Sequence, residues 1–492
     1  MGKLLITGTD SDVASYSGLA ALLGPLRARL DRQVGGRRRR RVIVTFAAVL
    51  ALDSADKATV GTNATQLQDA LDIGRPEIGL LLAVSSLVAA VAAIPAGVLA
   101  DRVSRSRLLR GAVVLWGLAM LLSAVATSYT FLLVTRVLLG ALVAVAGPAI
   151  ASMVGDYFPE SDRGRVYGYI LSGELLGAGI GFMVSGQLAL LSWRAPFAAL
   201  VLPTALVWWL LHRLREPARD GSDRMPDDGD GQGVGGVADA TATDPTATSI
   251  VADLGIEPTR RTTTGRPPED GELSLPEAVV RVLSVRTNRV LILASALGYF
   301  FFSGIRGFAV EFEKRQYGIG QSLASTLVLL LGIGALVGVL WGGRVADAWM
   351  RRGRVAARVE LPGLTVLLSA VFFVPAFLTG QIFVATLFLG LAAMCLGAAN
   401  PPFDAARLDI MPAALWGRAE AVRSLLRDLG DASAPLVFGI VSSSVFTGDS
   451  GLRDTFLLSL VALVAASAVA LVVGRRTYPH DVAAAARLEH ER

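Results

Sequence analysis

The sequence predicts an all-helical membrane protein of twelve spans, built as two pseudo-symmetric six-helix bundles. Three observations carry this. Hydrophobic residues make up 53% and charged residues 18% of the 492 residues, a balance suited to lipid rather than water. Apolar runs of about 20 residues, long enough to cross a hydrocarbon core of about 30 Å, recur from residue 42 to residue 474. Two charged signatures occur once in each half of the chain at identical spacing.

Lipid offers backbone groups no partners, so each run must be a helix or part of a closed barrel. The runs are continuous rather than alternating, which selects helices. Spans are placed at 42–62, 77–100, 109–127, 130–154, 165–190 and 194–212, then at 288–312, 320–345, 360–379, 381–403, 416–443 and 454–474. Arginine-rich connections (the tail, 101–110, 163–165, 213–286, 344–358, 407–418 and 475–492) alternate with nearly arginine-free turns such as 128–130 and 380. The positive-inside rule makes the basic set cytoplasmic, so both termini lie inside and the span count is even.

The expected organisation of this multi-pass cell-membrane protein is a basic cytoplasmic tail (1–41), a six-helix bundle (42–213), a cytoplasmic linker (214–287), a second bundle (288–474) and a cytoplasmic tail (475–492). Residues 218–272 are rich in Gly, Asp, Thr and Pro with no apolar periodicity, a composition that predicts disorder. Leu273 to Val285 reads as a short amphipathic helix on the cytoplasmic surface. The first 40 residues lack an apolar core followed by a cleavage site, so no signal peptide is expected. The net charge of +5 is assigned to orientation, with no nucleic-acid partner. A lone cysteine, Cys395, allows neither an intramolecular disulfide nor a thiolate cluster. No metal or cofactor is expected, and the chain is expected to act as a monomer among membrane lipids.

The first duplicated signature, G-x-x-A-D-x-x-x-R, gives Gly97, Asp101 and Arg105 (with Arg102 inside it) after span 2, and Gly343, Asp347 and Arg351 after span 8. The second, D-x-x-P-x-x-x-x-G-R, gives Asp156, Pro159 and Arg165 after span 4, and Asp409, Pro412 and Arg418 after span 10. Four elements in matching order mark a duplicated six-helix unit. Gly97 and Gly343 would let helices approach closely. Asp101 and Asp347 would meet arginines or helix N-termini, in contacts that hold the halves together in one state and break in the other. The plainer alternative is a charge cluster that only orients the chain.

With these residues the chain resembles the major facilitator superfamily, whose loop between spans 2 and 3 is similar to Gly97–Arg110. Arg136–Gly140 resembles the span-4 arginine motif of proton-coupled exporters. Ala51–Lys57, Arg215–Gly221 and Asn400–Leu426 resemble the spinster subfamily. That resemblance implies a major facilitator fold, secondary active transport by alternating access, and lipid-like substrates such as lysophospholipids or sphingolipids, some exported with proton coupling. The family pattern also has a glutamate in span 4. Here that place falls on Val143 or a neighbour, while Glu174 stands in span 5 among Gly173, Gly177, Gly179 and Gly181.

Ionisable groups at membrane depth are expensive and normally face a cavity. Asp53, Asp56 and Lys57 in span 1, Arg136 in span 4, Glu174 in span 5 and Arg306 in span 7 are such groups. A cavity holding Asp56, Glu174 and Arg136, with Asp53 on the same face of span 1, would switch protonation as it opens to either side. The alternative is a static ion-pair network. Arg306 suits an anionic headgroup, or else pairs with Glu311 or Glu313. Tyr299, Phe302 and Phe308 would line an apolar tail pocket or simply pack. Asn400, before Pro401 and Pro402, marks a broken helix whose freed carbonyls would line a cavity. The three histidines, His212, His480 and His490, lie at span ends or in tails, which argues against a histidine relay.

The function these features predict is export of an amphiphilic, lipid-like substrate, with proton coupling. A multidrug or small-metabolite exporter is the alternative on the same scaffold, and a transport-inactive receptor or scaffold the alternative of another class. No phosphate-binding loop, zinc-protease helix or nucleophile elbow is present in the sequence, so no enzyme activity and no catalytic residue is expected.

Overall fold

The computed structural model describes residues 36–158, 160–217, 275–411, 416–448 and 450–490. The tail up to residue 35, most of the linker, and Pro159 and Pro412 of the second signature lie outside the described residues, as do the side chains of Asp101, Arg165 and Arg418.

All regular structure among the described residues is helical. The first bundle comprises α1 (Arg37–Thr62), α2 (Ala64–Leu71), α3 (Arg75–Arg102), α4 (Arg105–Ala124), α5 (Tyr129–Val143), α6 (Ala146–Tyr157), α7 (Glu160–Leu188), α8 (Ala195–Ala199) and α9 (Val201–His212). A surface helix, α10 (Leu275–Ser284), precedes the second bundle. That bundle comprises α11 (Arg286–Tyr317), α12 (Gln321–Arg351), α13 (Ala357–Leu378), α14 (Ile382–Ala398), α15 (Asn400–Asp409), α16 (Trp416–Ile440), α17 (Gly451–Ala468) and α18 (Arg475–His490). Spans 4, 6 and 10 of the sequence map are each two helices in line: α5 with α6, α8 with α9, and α14 with α15.

Among the described residues, ten helical stretches are long and apolar enough to cross a membrane. The other two long helices, α1 with 26 residues and α16 with 25, reach about 38 Å at 1.5 Å per residue. Each carries charges inside its apolar run: Asp53, Asp56 and Lys57 in α1, and Arg423, Arg427, Asp428 and Asp431 in α16. Both lie where the bundles meet. α1 packs on α7 and α11, α16 packs on α3 and α11, and α7 packs on α12.

Local chemistry sets the helix ends. Ser104 Oγ accepts from Arg107 N–H and Ser128 Oγ from Phe131 N–H, capping α4 and α5. The Glu77 carboxylate takes the Gly74 N–H at 2.9 Å at the start of α3. Gly318, at φ 63°, stops α11 in the left-handed region.

Small residues bring the helices of each bundle together. On α7, Gly173, Gly177 and Gly181 recur every fourth residue and lie directly against the backbone of Ala47, Ala51 and Ala55 on α1. Any side chain there would meet main chain, so these glycines serve packing, whatever Glu174 does. Gly338 and Gly342 on α12 lie in the same way against the carbonyls of Met394 and Ala398.

Gly343 departs from the expectation. A Cβ added there would have Pro401 Cβ at 3.6 Å as its nearest neighbour, an ordinary contact, so the close approach belongs to Gly342. The break at Asn400 is present between α14 and α15, but the Ala398 carbonyl faces Gly342 rather than a cavity. The last segment is also more ordered than a tail. α18 is anchored by Asp481, which takes the Thr287 N–H at 2.9 Å, and by the Tyr478 hydroxyl, which donates to Asp409.

Candidate functional site

The charged groups form four sets, stacked from the face that carries the chain ends to the opposite, far face. On the far face the halves are bolted together. Glu311 at the end of α11, 0% exposed, takes Arg75 Nε at 2.9 Å and Gln68 Nε2 at 2.8 Å from the first half, and Arg315 Nε at 3.0 Å from its own helix. Arg75 also donates to the Ser442 carbonyl at 2.9 Å. Lys314 reaches Thr65 Oγ1 at 2.9 Å, Gln321 the Thr62 carbonyl at 2.7 Å, and Gln187 Ser322 Oγ at 2.6 Å. These hydrogen bonds and ion pairs join the two halves on this face. This state is closed at the far face.

Midway through the protein, the halves present two ion pairs to one cavity. Lys57 Nζ is 2.9 Å from Asp53 on α1, and Arg306 Nη2 is 3.0 Å from Asp431 across α11 and α16. The cavity is lined by Lys57, Leu82 and Ser86 from the first half and by Ser303, Arg306 and Asp431 from the second. Phe302 lies under Arg306, 5.6 Å from the guanidinium carbon to the ring centre. Nearer the chain-end face, exposed Glu174 faces Arg427 and Tyr299 of the second half without an ion pair, while Arg427 sits 4.9 Å over the Tyr299 ring.

Inside the first bundle, Asp56 and Arg136 form a buried pair, 2% and 1% exposed. Arg136 Nη1 donates to both Asp56 oxygens at 2.8 and 3.1 Å, and Nη2 donates to Ser123 Oγ at 2.7 Å. The guanidinium lies 5.3 Å over the Phe197 ring. Glu174 is not part of this set. Gly181 lies against Ala55, so Asp56 is level with residues about eight positions beyond Glu174, roughly 12 Å along the helix axis at 1.5 Å per residue. The expected cavity of Asp56, Glu174 and Arg136 is therefore two separate sites.

At the chain-end face each bundle ties its spans with one arginine. Arg105, 1% exposed, donates to Asp156, to Ser152 Oγ at 2.8 Å, to Glu216 at 3.0 Å and to the Pro217 carbonyl at 3.0 Å. Glu216 also takes the N–H groups of Arg105 and Ser106 at 3.0 and 2.7 Å, so it caps α4 from beyond α9. Burial raises this carboxyl, but hydrogen bonds from Ser106, Arg105 and Ser104 outweigh it and hold the group at about 2.

In the second half the equivalent arginine is Arg358, not Arg351. Arg358 Nη1 lies 2.6 Å from both Asp409 oxygens, and Nη2 is 3.6 Å from half-exposed Asp347. Arg351 is exposed, like Arg102. The connection before α4 is two residues (103–104) and that before α13 is five (352–356). The longer loop moves the motif arginine away and lets one from the next helix take its place. The Asp347 contact stays within its own bundle, so it does not tie the two halves in this state.

Several other expectations change. Arg306 pairs with Asp431 rather than with Glu311 or Glu313. Glu311 is occupied in the far-face closure, away from the cavity. Phe308, 0% exposed, belongs to the packed core, while Phe302 is 40% exposed and Asn400 is exposed. Asp431, Arg427, Arg75, Glu216 and Arg358 were missed. The charges of span 11 were visible as exceptions within an apolar run, whereas Arg75, Glu216 and Arg358 look like ordinary loop or span-end residues.

A profile of the Major Facilitator Superfamily matches residues 46–435. The chain belongs to this superfamily. It is therefore a multi-pass membrane protein and a secondary transporter, in a family whose members are not enzymes. Among curated proteins it is similar to a putative metabolite transport protein, YyaJ, of Bacillus subtilis, 26% identical over 70% of this chain and 75% of that protein. It is also similar to a probable L-galactonate transporter of Escherichia coli, 26% identical over 36% of this chain and only 39% of that protein's length. Among solved structures, a bacterial homologue of the human lysosomal transporter Spinster, inward-facing and unoccupied, superposes with a TM-score of 0.71 at 20% identity, covering 91% and 99% of the two chains. At that identity the likeness shows the fold alone.

Proposed function

We propose that this member carries an organic anion with an apolar body, of the lysophospholipid or sphingolipid kind, out of the cytoplasm by alternating access. One observation carries the reading: the cavity between the halves takes a cation from each, Lys57 and Arg306, beside the hydroxyls of Ser86 and Ser303 and the apolar side chains of Leu82 and Pro435. A phosphate or carboxylate bridging the two cations competes with Asp53 and Asp431 and draws the halves together. Tyr299 and Phe302 supply apolar surface beside it. Compact organic acids are the second reading, favoured by the similarity to a transporter described as carrying L-galactonate.

In this reading the basic tail and linker face the cytoplasm, and the closed far face makes the present state inward-open. The buried Asp56–Arg136 pair is the site of proton coupling, since protonating Asp56 releases Arg136. The test is reconstitution in liposomes, following a fluorescent lysophosphatidylglycerol, an anionic lysolipid, and a labelled aromatic acid with and without a pH gradient. Movement of the lysolipid, lost in Arg306→Ala, supports the first reading. Movement of the acid alone supports the second. Binding without movement of either returns the protein to a receptor role.

A further inference from the structure

Beyond Glu311 in the far-face closure stands a second buried acid, Glu313, which none of the contacts above uses. It is 1% exposed, and its Oε2 has no hydrogen-bond partner. Its neighbours in sequence are engaged: Glu311 holds Arg75 and Arg315, and Lys314 holds Thr65. Two residues beyond Glu311, Glu313 points about 200° round the helix from it, away from Arg75. Burial alone acts on it: among the described residues, no charged side chain of α11 or of the helices around it, α1, α2, α3, α12, α13, α16 and α17, acts on its carboxyl. Its titratable neighbour is Tyr317, one turn on, whose hydroxyl is committed to the Ala376 carbonyl at 2.8 Å. The Gln321 side-chain oxygen, also buried without a donor, belongs to the same closure, where its amide donates to the Thr62 carbonyl.

A charged carboxylate with neither counterion nor donor is too costly to keep away from water, and such a group takes up a proton instead. Glu311 and Lys314, on either side of it in the chain, both reach across to the first half. Parting the halves at the far face therefore breaks contacts on both flanks of Glu313 and admits water to the end of α11. Hydration stabilises the ionised form. We propose that Glu313 is a proton-binding site, loaded while the far face is closed and released when it opens, which places a second proton site in the half opposite Asp56. The proposal rests on the alternating-access reading, and its test uses no substrate so that the two fail separately.

The full chain, with Cys395→Ser and spin labels at Ala70→Cys and Gly380→Cys, is placed in lipid nanodiscs. Both labelled positions are exposed at the far face, one on each half. The label distance is measured as pH is varied. Ionising Glu313 disfavours the closed state, so the long-distance population is expected to grow as pH rises. The closed-to-open ratio falls by up to about tenfold per pH unit within the titration. Glu313→Gln, which mimics the neutral acid, should stay closed at every pH, while Glu313→Asp should keep a pH response. An infrared band of a protonated carboxyl should be present in the closed parent and absent from Glu313→Gln. The proposal is overturned by an equal pH response in the parent and Glu313→Gln, by no response in the parent, or by an unchanged infrared band.

Discussion

Removing the Glu311 carboxylate tests whether the far-face contacts hold the closed state. Glu311 is 0% exposed and Arg75 beside it has a side-chain exposure of 10%, so the pair is screened little by solvent. Breaking such a pair by deleting one partner typically costs about 3 to 5 kcal/mol, because the other charge is left buried alone. Arg75 keeps its bond to the Ser442 carbonyl, which places Glu311→Ala near the low end. About 3 kcal/mol corresponds to a shift of roughly a hundredfold in the closed-to-open ratio, at about 1.4 kcal/mol per tenfold. The readout is reaction of Ser86→Cys, in a Cys395→Ser background, with a membrane-impermeant maleimide added at the far face. Ser86 lines the cavity, so it is shielded while that face is closed, and Glu311→Ala should speed labelling by one to two orders of magnitude. A double-mutant cycle with Arg75→Met should show strong non-additivity. Unchanged labelling in Glu311→Ala, or additive effects in the cycle, would refute the latch.

Asp56→Asn leaves Arg136 buried without its counterion, so pH-gradient-driven uptake should vanish and thermal stability should fall. Arg136→Lys should not rescue function, because an ammonium cannot bridge both Asp56 oxygens and Ser123 together. Gly342→Ala forces a methyl against the Ala398 carbonyl and should lower the melting temperature in detergent, by about 1 to 3 kcal/mol of overpacking; its neighbour Gly343→Ala should be silent in the same scan. Arg358→Ala removes its bonds to Asp409 and Asp347 and should destabilise the second bundle, whereas Arg351→Ala, at the motif position, should not. The Glu216 clamp has a carboxyl depressed to about 2, from an ordinary value of about 4.3. Its contribution is therefore full above about pH 4.3 and lost as pH falls through about 2. Uptake assays acidified to pH 5 should thus leave α4 capped, as hydrogen exchange at the amides of Arg105 and Ser106 would report.

The two-bundle fold was legible because hydropathy and duplication are properties of the chain itself, independent of packing. Span length follows from the thickness of lipid, and the repeated Asp156 and Asp409 each do close a buried arginine at the same end of their bundle. Partner choice was not legible in the same way. Arg75 and Glu311 are 236 residues apart, and nothing in either neighbourhood states that they meet. Aligning the signatures nominated Arg351, but three extra loop residues handed its place to Arg358, a geometric effect that motif spacing cannot carry. The glycines beside Glu174 at 173, 177 and 181 form the packing edge of α7 against α1, a role their four-residue period carries.

The most useful signal lay where the simplest rule failed. α1 and α16 carry charges inside their apolar runs, Asp53, Asp56 and Lys57 in one and Arg423, Arg427, Asp428 and Asp431 in the other. Lipid cannot tolerate those charges, so these helices must turn them toward protein or water. In a two-bundle transporter the available places are the interior of one bundle, which takes Asp56 with Arg136, and the cavity between bundles, which takes Lys57 and Asp431. A helix that spans in spite of its composition thus marks the surface on which the halves work. By the same reasoning Glu313, a buried acid whose Oε2 has no hydrogen-bond partner among the described residues, is the group on which the proposed proton site rests.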